Sequence, residues 1–282
     1  MKILLVGANS SLAYALKPVL EEFAEVITAG RSNCDVMLDL AGDISIPPGF
    51  DTVINTACHF GGKDVASIIA AEQINVLGML KLCHACIKSN VGHFVQVSSI
   101  FAELPRISPF FNIYALSKRH GDEATQLLSG AYKLPLAIVR PSQFYGVGDL
   151  YRRSQPFLYA LIDKAQANDD IVIYGSNDAQ RNFIHIVDVA KILALVVQQR
   201  VEGIFSCAHP ENVRYSEIAQ AAINAFDSNS SVRFALDQPD IPDNGFTSDH
   251  TLYQRVGYFP RISIADGMRM EAAYREQGLK KS

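Results

Sequence analysis

Tyr114 and Lys118 form a Y-x-x-x-K spacing, which on an α-helix stacks both side chains on one face about a turn apart. A cation then lies beside a phenol. A free tyrosine ionises near pH ~10, and an adjacent positive charge lowers that by roughly 1–3 units, so Tyr114 is suited to exchange a proton as general acid or base near neutrality. Upstream, Phe94-Val95-Gln96-Val97 reads as a strand running into Ser98-Ser99. That delivers a hydroxyl to the carboxyl end of a strand, where ligands bind in open α/β sheets. Ser99 can hydrogen-bond a reacting oxygen while Tyr114 transfers the proton, dividing polarisation from transfer. Taken singly, Y-x-x-x-K also arises by chance on surface helices, and a serine after a strand also serves as a loop cap; together the three residues point to chemistry.

The elements that must hold them are legible upstream of residue 150, where short β-branched runs alternate with longer helical patterns. That alternation signals βαβ units and a parallel sheet. Strands are predicted over residues 2–6, 25–29, 52–55, 93–97 and 136–139, and helices over 11–23, 66–90 and 114–128. Pro18 falls inside the first helix and should remove a hydrogen bond and bend it. Beyond about residue 148, prolines and glycines break shorter elements, so a less regular second lobe is expected over 149–282 beside a first domain over 1–148. A segment near 182–200, including a helix over 189–199, is expected to return to the first domain.

The first strand ends at Gly7-Ala8-Asn9-Ser10-Ser11-Leu12-Ala13, directly before a helix. A tight turn there aims backbone N–H groups and the positive helix end at a pyrophosphate, the usual dinucleotide arrangement. Gly7 is kept, while Ser10 and Ala13 replace two glycines of the familiar fingerprint, and small side chains preserve the close approach; a plain strand-to-helix turn is the alternative. The second strand ends at Ala29-Gly30-Arg31-Ser32 without the carboxylate that normally meets the adenosine ribose hydroxyls. A guanidinium matches phosphate geometry. Arg31 and Ser32 therefore indicate a ribose 2′-phosphate and an NADP(H) preference, with NAD(H) also possible; an exposed surface arginine is the alternative.

Composition sets the frame. The 282 residues, 49% hydrophobic and 19% charged, are those of a globular chain with a substantial core. A net charge of −4 removes the global attraction to phosphate backbones on which nucleic-acid binders depend. No uninterrupted apolar run of 18 residues exists, and the N-terminus lacks a signal-peptide pattern, so a cytoplasmic protein without membrane association is expected. The five cysteines are odd in number and scattered, which predicts reduced thiols. Cys83 and Cys86 form a C-x-x-C around His84, with no second ligand pair nearby, and read as buried packing. His59, His93, His120 and His185 show no metal-ligand spacing, so no metal is expected. The terminal Lys280-Lys281 reads as a frayed end.

Taken together these residues resemble the extended branch of the short-chain dehydrogenase/reductase superfamily, which includes nucleotide-sugar epimerases, dehydratases and ketoreductases. The resemblance runs through nearly the whole chain. It implies an α/β fold, a Rossmann-type doubly wound parallel sheet, with a smaller, irregular C-terminal substrate-binding lobe. It also implies that Ser99, Tyr114 and Lys118 are catalytic, Lys118 binding nicotinamide ribose hydroxyls and lowering the phenol pKa. Gly7, Asn9, Ser10, Ser11 and Leu12 would hold the pyrophosphate turn, and Asp39-Leu40 resembles the adenine-contacting acidic pair. Asn55-Thr56-Ala57, with Cys58 following, resembles the strand end beside the cofactor, as does Val97, and Asn75-Val76 the asparagine that braces the framework. Arg140-Pro141-Ser142-Gln143-Phe144-Tyr145-Gly146 resembles the segment lining nicotinamide and substrate, with Pro141 and Ser142 toward the cofactor and Ser142 also toward substrate. Arg181, before Asn182-Phe183-Ile184-His185, is similar to the arginine that grips a nucleotide-sugar diphosphate.

Two departures narrow the activity. Sugar-nucleotide dehydratases carry acidic residues after the catalytic hydroxyl, whereas Ile100 and Phe101 follow Ser99, which argues against 4,6-dehydration. Many epimerases carry a second arginine near the region of Gln238-Pro239-Asp240, and none stands there. The leading expectation is an NAD(P)-dependent reductase of a 4-keto nucleotide sugar; NAD-dependent 4-epimerisation is the runner-up. A noncatalytic cofactor-binding protein on the same fold is a further alternative. The long helices 66–90 and 114–128 resemble those that pair across a dimer in the family, so a homodimer is expected.

Overall fold

The central apolar runs fold as parallel strands buried along nearly their whole length, which lets them stay almost continuously hydrophobic. The computed structural model describes residues 1–247 and 249–279. In it β1 (Lys2–Val6), β2 (Glu25–Gly30), β3 (Val36–Met37), β4 (Thr52–Asn55), β5 (His93–Val97) and β6 (Leu136–Pro141) join the strand Gly203–Cys207 in one sheet. Its seven strands are ordered Gly203–Cys207, β6, β5, β4, β1, β2, β3, and every pairing is parallel. The chain order reverses on the two sides of β1, and that reversal is where open α/β sheets bind ligands. The expected Rossmann-type class is thus the observed one.

Chain contacts divide the molecule into two units. The first comprises Met1–Pro141, Ala190–Cys207 and Thr251–Tyr258 and holds the seven-stranded sheet. Its core gathers Leu4, Val6, Val53, Phe94, Met79, Leu82, Cys83 and Cys86. Both thiols of the C-x-x-C are buried, and burial pushes Cys83 up to about 11 and Cys86 well above the ordinary range, so they pack as protonated apolar groups. The second unit comprises Ser142–Val189, Ala208–His250 and Phe259–Ser282. It is more regular than its broken sequence suggests: helices Pro156–Ala167, Tyr215–Ala225 and Ile264–Leu279 pack in series. Short strand pairs accompany them, Gln143–Tyr145 with Phe183–His185, Gln180–Arg181 with Val213–Arg214, and Ile171–Tyr174 with Val232–Ala235.

Differences from the expected elements have local causes. Helix α1 (Ser11–Glu21) continues through Pro18. The helix expected over 66–90 is broken into α2 (Val65–Glu72), a π-helical turn Gln73–Gly78 and α3 (Met79–Lys88). A π turn inserts an extra residue per turn and re-aims side chains, often at functional sites; here it carries Asn75. The predicted helix 114–128 is α4 (Ile113–Tyr132), which ends where Lys133 turns left-handed at φ 56°. Val65–Lys88 as a whole is, among the described residues, the one helical stretch with the length and hydropathy to cross a membrane. Its buried face packs on α4, while Val65, Ile69 and Leu77 are exposed. Lys280-Lys281 lie outside the described residues.

Candidate active site

The turn after β1 is built by close approach. Gly7 has φ +93°, and a Cβ there would stand 2.6 Å from the Ala57 backbone nitrogen and 2.7 Å from Thr56 Oγ1, so only glycine fits. Thr56 Oγ1 donates to the Val6 carbonyl at 2.9 Å and lies 2.8 Å from Ser10 Oγ, stitching the ends of β1 and β4 together. Ser10 caps α1 by accepting from Ala13 N at 3.0 Å. An α-helix leaves its first N–H groups without intrahelical acceptors, and those of Ser11 and Leu12 open toward this turn as anion donors. Asn9 Nδ2 donates to the Ser32 carbonyl at 2.8 Å and to Ser32 Oγ at 3.1 Å, tying this turn to the end of β2. Arg31 is exposed there. Asp39, also exposed, accepts from Ala41 N at 3.0 Å, and Leu40 beside it is buried. A glycine cradle, a helix N-terminus and a flanking guanidinium are the donor set a dinucleotide phosphate requires, so the residues present fit such a cofactor.

Ser99, Tyr114 and Lys118 converge across the end of β5 and the start of α4. Ser99 is buried in extended backbone, caps the 3-10 turn Ile100–Glu103 and accepts from Phe101 N at 3.2 Å. Asn112 caps α4 by accepting from Ala115 N at 3.1 Å and so sets Tyr114 in the first turn. Lys118 is buried; its Nζ donates to the Val97 carbonyl at 3.0 Å and lies 5.9 Å from the Tyr114 ring centroid. Half-buried Tyr114 is flanked by Phe60, with ring centroids 5.3 Å apart, and by Phe101 at 6.4 Å. Asn75, buried on the π turn, accepts from His59 N at 2.8 Å and donates to the His59 carbonyl at 2.7 Å and Ser117 Oγ at 2.9 Å. It therefore clamps the Cys58-His59 loop to α4. Gly121 permits this approach: a Cβ there would fall 2.2 Å from the Asn75 carbonyl oxygen.

One expectation is reversed. The ammonium was expected to lower the Tyr114 pKa, yet in the protein alone the phenol lies well above its ordinary value. Burial is the main cause, and the Cys58 thiol and the Asp122 carboxylate raise it further, while a hydrogen bond with Ser99 pulls it down. The sequence shows Lys118 beside Tyr114, but the aromatic walls that desolvate the phenol come from distant positions. Asp122, buried one turn past Lys118, carried no sequence signal beyond helical spacing, and neither did Phe60.

The remaining site residues lie elsewhere. Pro141 ends β6 in the first unit. In the second unit the buried Ser142 hydroxyl has no hydrogen-bond partner among the described residues, an orphaned polar atom of the kind a ligand satisfies. Arg181 is buried, its guanidinium stacked 4.7 Å from the Tyr215 ring centroid and its Nη1 donating to the carbonyls of Gln180 at 2.7 Å and Pro242 at 2.9 Å. His185 is buried, its Nε2 without a hydrogen-bond partner among the described residues, and burial holds it down to about 4. Among the described residues no group of three or more His, Cys, Asp or Glu side chains could hold a metal.

The fold and the glycine turn after β1 are those of a dinucleotide-type α/β protein, with Ser99, Tyr114 and Lys118 gathered near the carboxyl end of β5. The chain belongs to the NAD dependent epimerase/dehydratase family, whose model matches residues 9–208. It is similar to CDP-abequose synthase of Salmonella typhimurium, 26% identical over 58% of this chain and 53% of that protein. It is also similar to dTDP-4-dehydro-6-deoxy-D-allose reductase of a Streptomyces species, 25% identical over 62% of this chain and 59% of that one. The aligned part thus spans somewhat over half the length of these curated relatives. In fold it matches UDP-glucuronic acid 4-epimerase from Bacillus cereus in complex with NAD, with a TM-score of 0.78 at 17% identity over 100% of this chain and 99% of that one.

Proposed function

We propose that this chain reduces a keto group on a nucleotide-linked sugar, at C4, with NADP(H) preferred as cofactor. The carrying observation is the placement of Tyr114 in the first turn of α4, between the Phe60 and Phe101 rings and one helical turn from the Lys118 ammonium, which is anchored on the Val97 carbonyl just before Ser98-Ser99. A phenol that holds its proton is set to give it, and a net reduction needs a proton at the carbonyl oxygen. Bound reduced nicotinamide supplies the hydride. Ser99 hydrogen-bonds the carbonyl oxygen, Tyr114 donates its proton to it, and Lys118 orients the nicotinamide ribose and stabilises the phenolate that remains. One of the relatives described above is named as a 4-dehydro-6-deoxy sugar reductase, which supports the same direction of chemistry.

Cofactor preference rests on Arg31, exposed at the end of β2, where the acid in the same bend, Asp35, is tied back to Thr28 N and Oγ1. Ser142 and Arg181 are the proposed substrate contacts, the former through its unpaired hydroxyl and the latter through a guanidinium plane already fixed by Tyr215. Val65, Ile69 and Leu77 of the broken helix and Leu127 of α4 expose apolar surface that a second copy of the chain would cover, giving a homodimer. The test of the activity is NADPH oxidation with a panel of 4-keto nucleotide sugars. Oxidation by the purified protein is the expected result. No oxidation with any of them, together with interconversion of hydroxyl epimers on tightly held NAD, would overturn the proposal in favour of 4-epimerisation.

A further inference from the structure

Behind the proton-transfer set lies a carboxylate sealed from solvent. Asp122 sits on α4 at four residues past Lys118 and eight past Tyr114, so the three share one helix face. It has no exposed surface. Gln96 Nε2 donates to its Oδ1 at 2.9 Å, and Ser98 Oγ and Arg140 Nε donate to its Oδ2 at 2.9 Å and 2.8 Å. Among the described residues the side-chain partners of this carboxyl are placed as donors, which suits a carboxylate; burial pushes its pKa up while the Arg140 guanidinium pulls it down. The chain of polar contacts continues outward: Arg140 Nη1 meets Glu103 Oε1 at 3.2 Å, and Ser206 Oγ donates to the same oxygen at 2.8 Å.

A buried ion pair adds little net stability compared with apolar side chains of the same volume, so stability alone does not account for Asp122. Its neighbours do. Ser98, which it holds, precedes Ser99, and Val97, whose carbonyl receives the Lys118 ammonium, precedes Ser98. We propose that Asp122 is a positioning residue for proton transfer: it ties the Ser98–Ser99 segment to the helix bearing Tyr114, and its fixed negative charge offsets the Lys118 ammonium so that the phenol retains its proton. This rests on the proton-transfer role proposed above for Tyr114.

The groups facing the pair come from every packed element. Cys58 and Ser99 meet Tyr114, Lys118 lies on the same helix, and half-buried Arg140 and exposed Glu103 carry the polar line outward. On the outer side of α4, His120 pairs with Glu72, and Arg119 donates to the carbonyls of Ala102 and Leu104. Among these, Lys118 lowers the Asp122 pKa and Asp122 raises that of Tyr114, the signs the proposal requires. Eight helical residues span about 12 Å, and two unit charges at that distance with an effective dielectric near ~20 shift a proton equilibrium by about one pH unit, a tenfold change in proton affinity.

The test is a tyrosinate absorbance titration with saturating NADP⁺, read as the difference between each protein and its Tyr114→Phe counterpart. Asp122→Asn removes the charge at nearly constant shape, and the Tyr114-dependent midpoint should fall by about one pH unit. At the alkaline pH of a tyrosinate titration Arg140→Gln leaves the carboxylate ionised and removes a positive charge, so the midpoint should stay or rise. An unchanged midpoint in Asp122→Asn, a Tyr114-dependent step visible in neither protein, or a fall in Arg140→Gln overturns the proposal, and the last applies even if Asp122→Asn fails to fold. The two levels separate cleanly. A shifted midpoint with full reductase activity in Tyr114→Phe would remove the catalytic reading and leave the charge coupling, whereas an inactive Tyr114→Phe with unshifted midpoints would do the reverse.

Discussion

Gly121→Ala sets two effects of opposite sign against each other on one helix. Alanine has the higher helix propensity by about 1 kcal/mol, so a helix judged alone should gain stability. The structure says otherwise, because the added Cβ would stand 2.2 Å from the Asn75 carbonyl oxygen, a backbone atom that cannot swing aside. Relief requires α4 to move off the π turn, at an overpacking cost of about 1–3 kcal/mol. The same movement strains the 2.9 Å bond from Asn75 Nδ2 to Ser117 Oγ, a further cost of about 1 kcal/mol. The net is a loss of about 1–3 kcal/mol after the propensity gain is subtracted. Gly130→Ala is the internal control, since Gly130 lies on the same helix with nothing within 4 Å of an added Cβ and should gain up to about 1 kcal/mol. Urea unfolding of the two variants checks both signs. If Gly121→Ala is as stabilising as Gly130→Ala, the close helix packing described here is refuted. Dinucleotide affinity should fall in Gly121→Ala alone, because Asn75 also fixes the Cys58-His59 loop.

Three further outcomes follow from other parts of the molecule. Arg31→Asp should move cofactor preference from NADPH toward NADH by roughly ten- to a hundredfold, the worth of one charge-assisted contact, measured as the ratio of kcat/KM values. His185 is neutral in the fold down to about pH 4, whereas in the unfolded chain it takes up a proton near pH ~6.5. Its stability contribution is therefore complete above that higher pH and is lost as pH falls toward the lower one, about 3 kcal/mol in all; His185→Phe should flatten the acid side of the unfolding profile. Ile69→Lys should convert a sedimenting dimer into a monomer of 30.9 kDa, and a wild-type protein that sediments at that mass would dismiss the dimer.

Much of the fold could be read from residue pattern because parallel strands are short apolar runs with polar ends. The spans 2–6, 52–55 and 93–97 match β1, β4 and β5 for that reason. Spacing likewise brought out Tyr114 and Lys118, which need only one helix to meet. What escaped notice depends on distant contacts. The strand β3 is two residues long, too short for any alternation to register. The π turn in the helix expected over 66–90 owes its place to Asn75 and Gly78 lodging against α4 and Leu40, and neither contact is local. Asp122 looks like an ordinary helix-surface acid until Gln96, Ser98 and Arg140 close over it from two strands. The raised Tyr114 pKa arises the same way, from Phe60, Phe101 and Cys58 supplied by two loops.

The proposed reduction depends above all on Tyr114 as the proton donor. The direct measurement is the single-turnover rate of NADPH oxidation with a 4-keto nucleotide sugar in wild type and Tyr114→Phe, with NADPH binding measured alongside. A positioned general acid contributes about 10²–10⁴-fold, so the rate should fall by at least about a hundredfold while NADPH affinity holds. A variant that reduces the ketone within a few-fold of wild type would contradict the central claim.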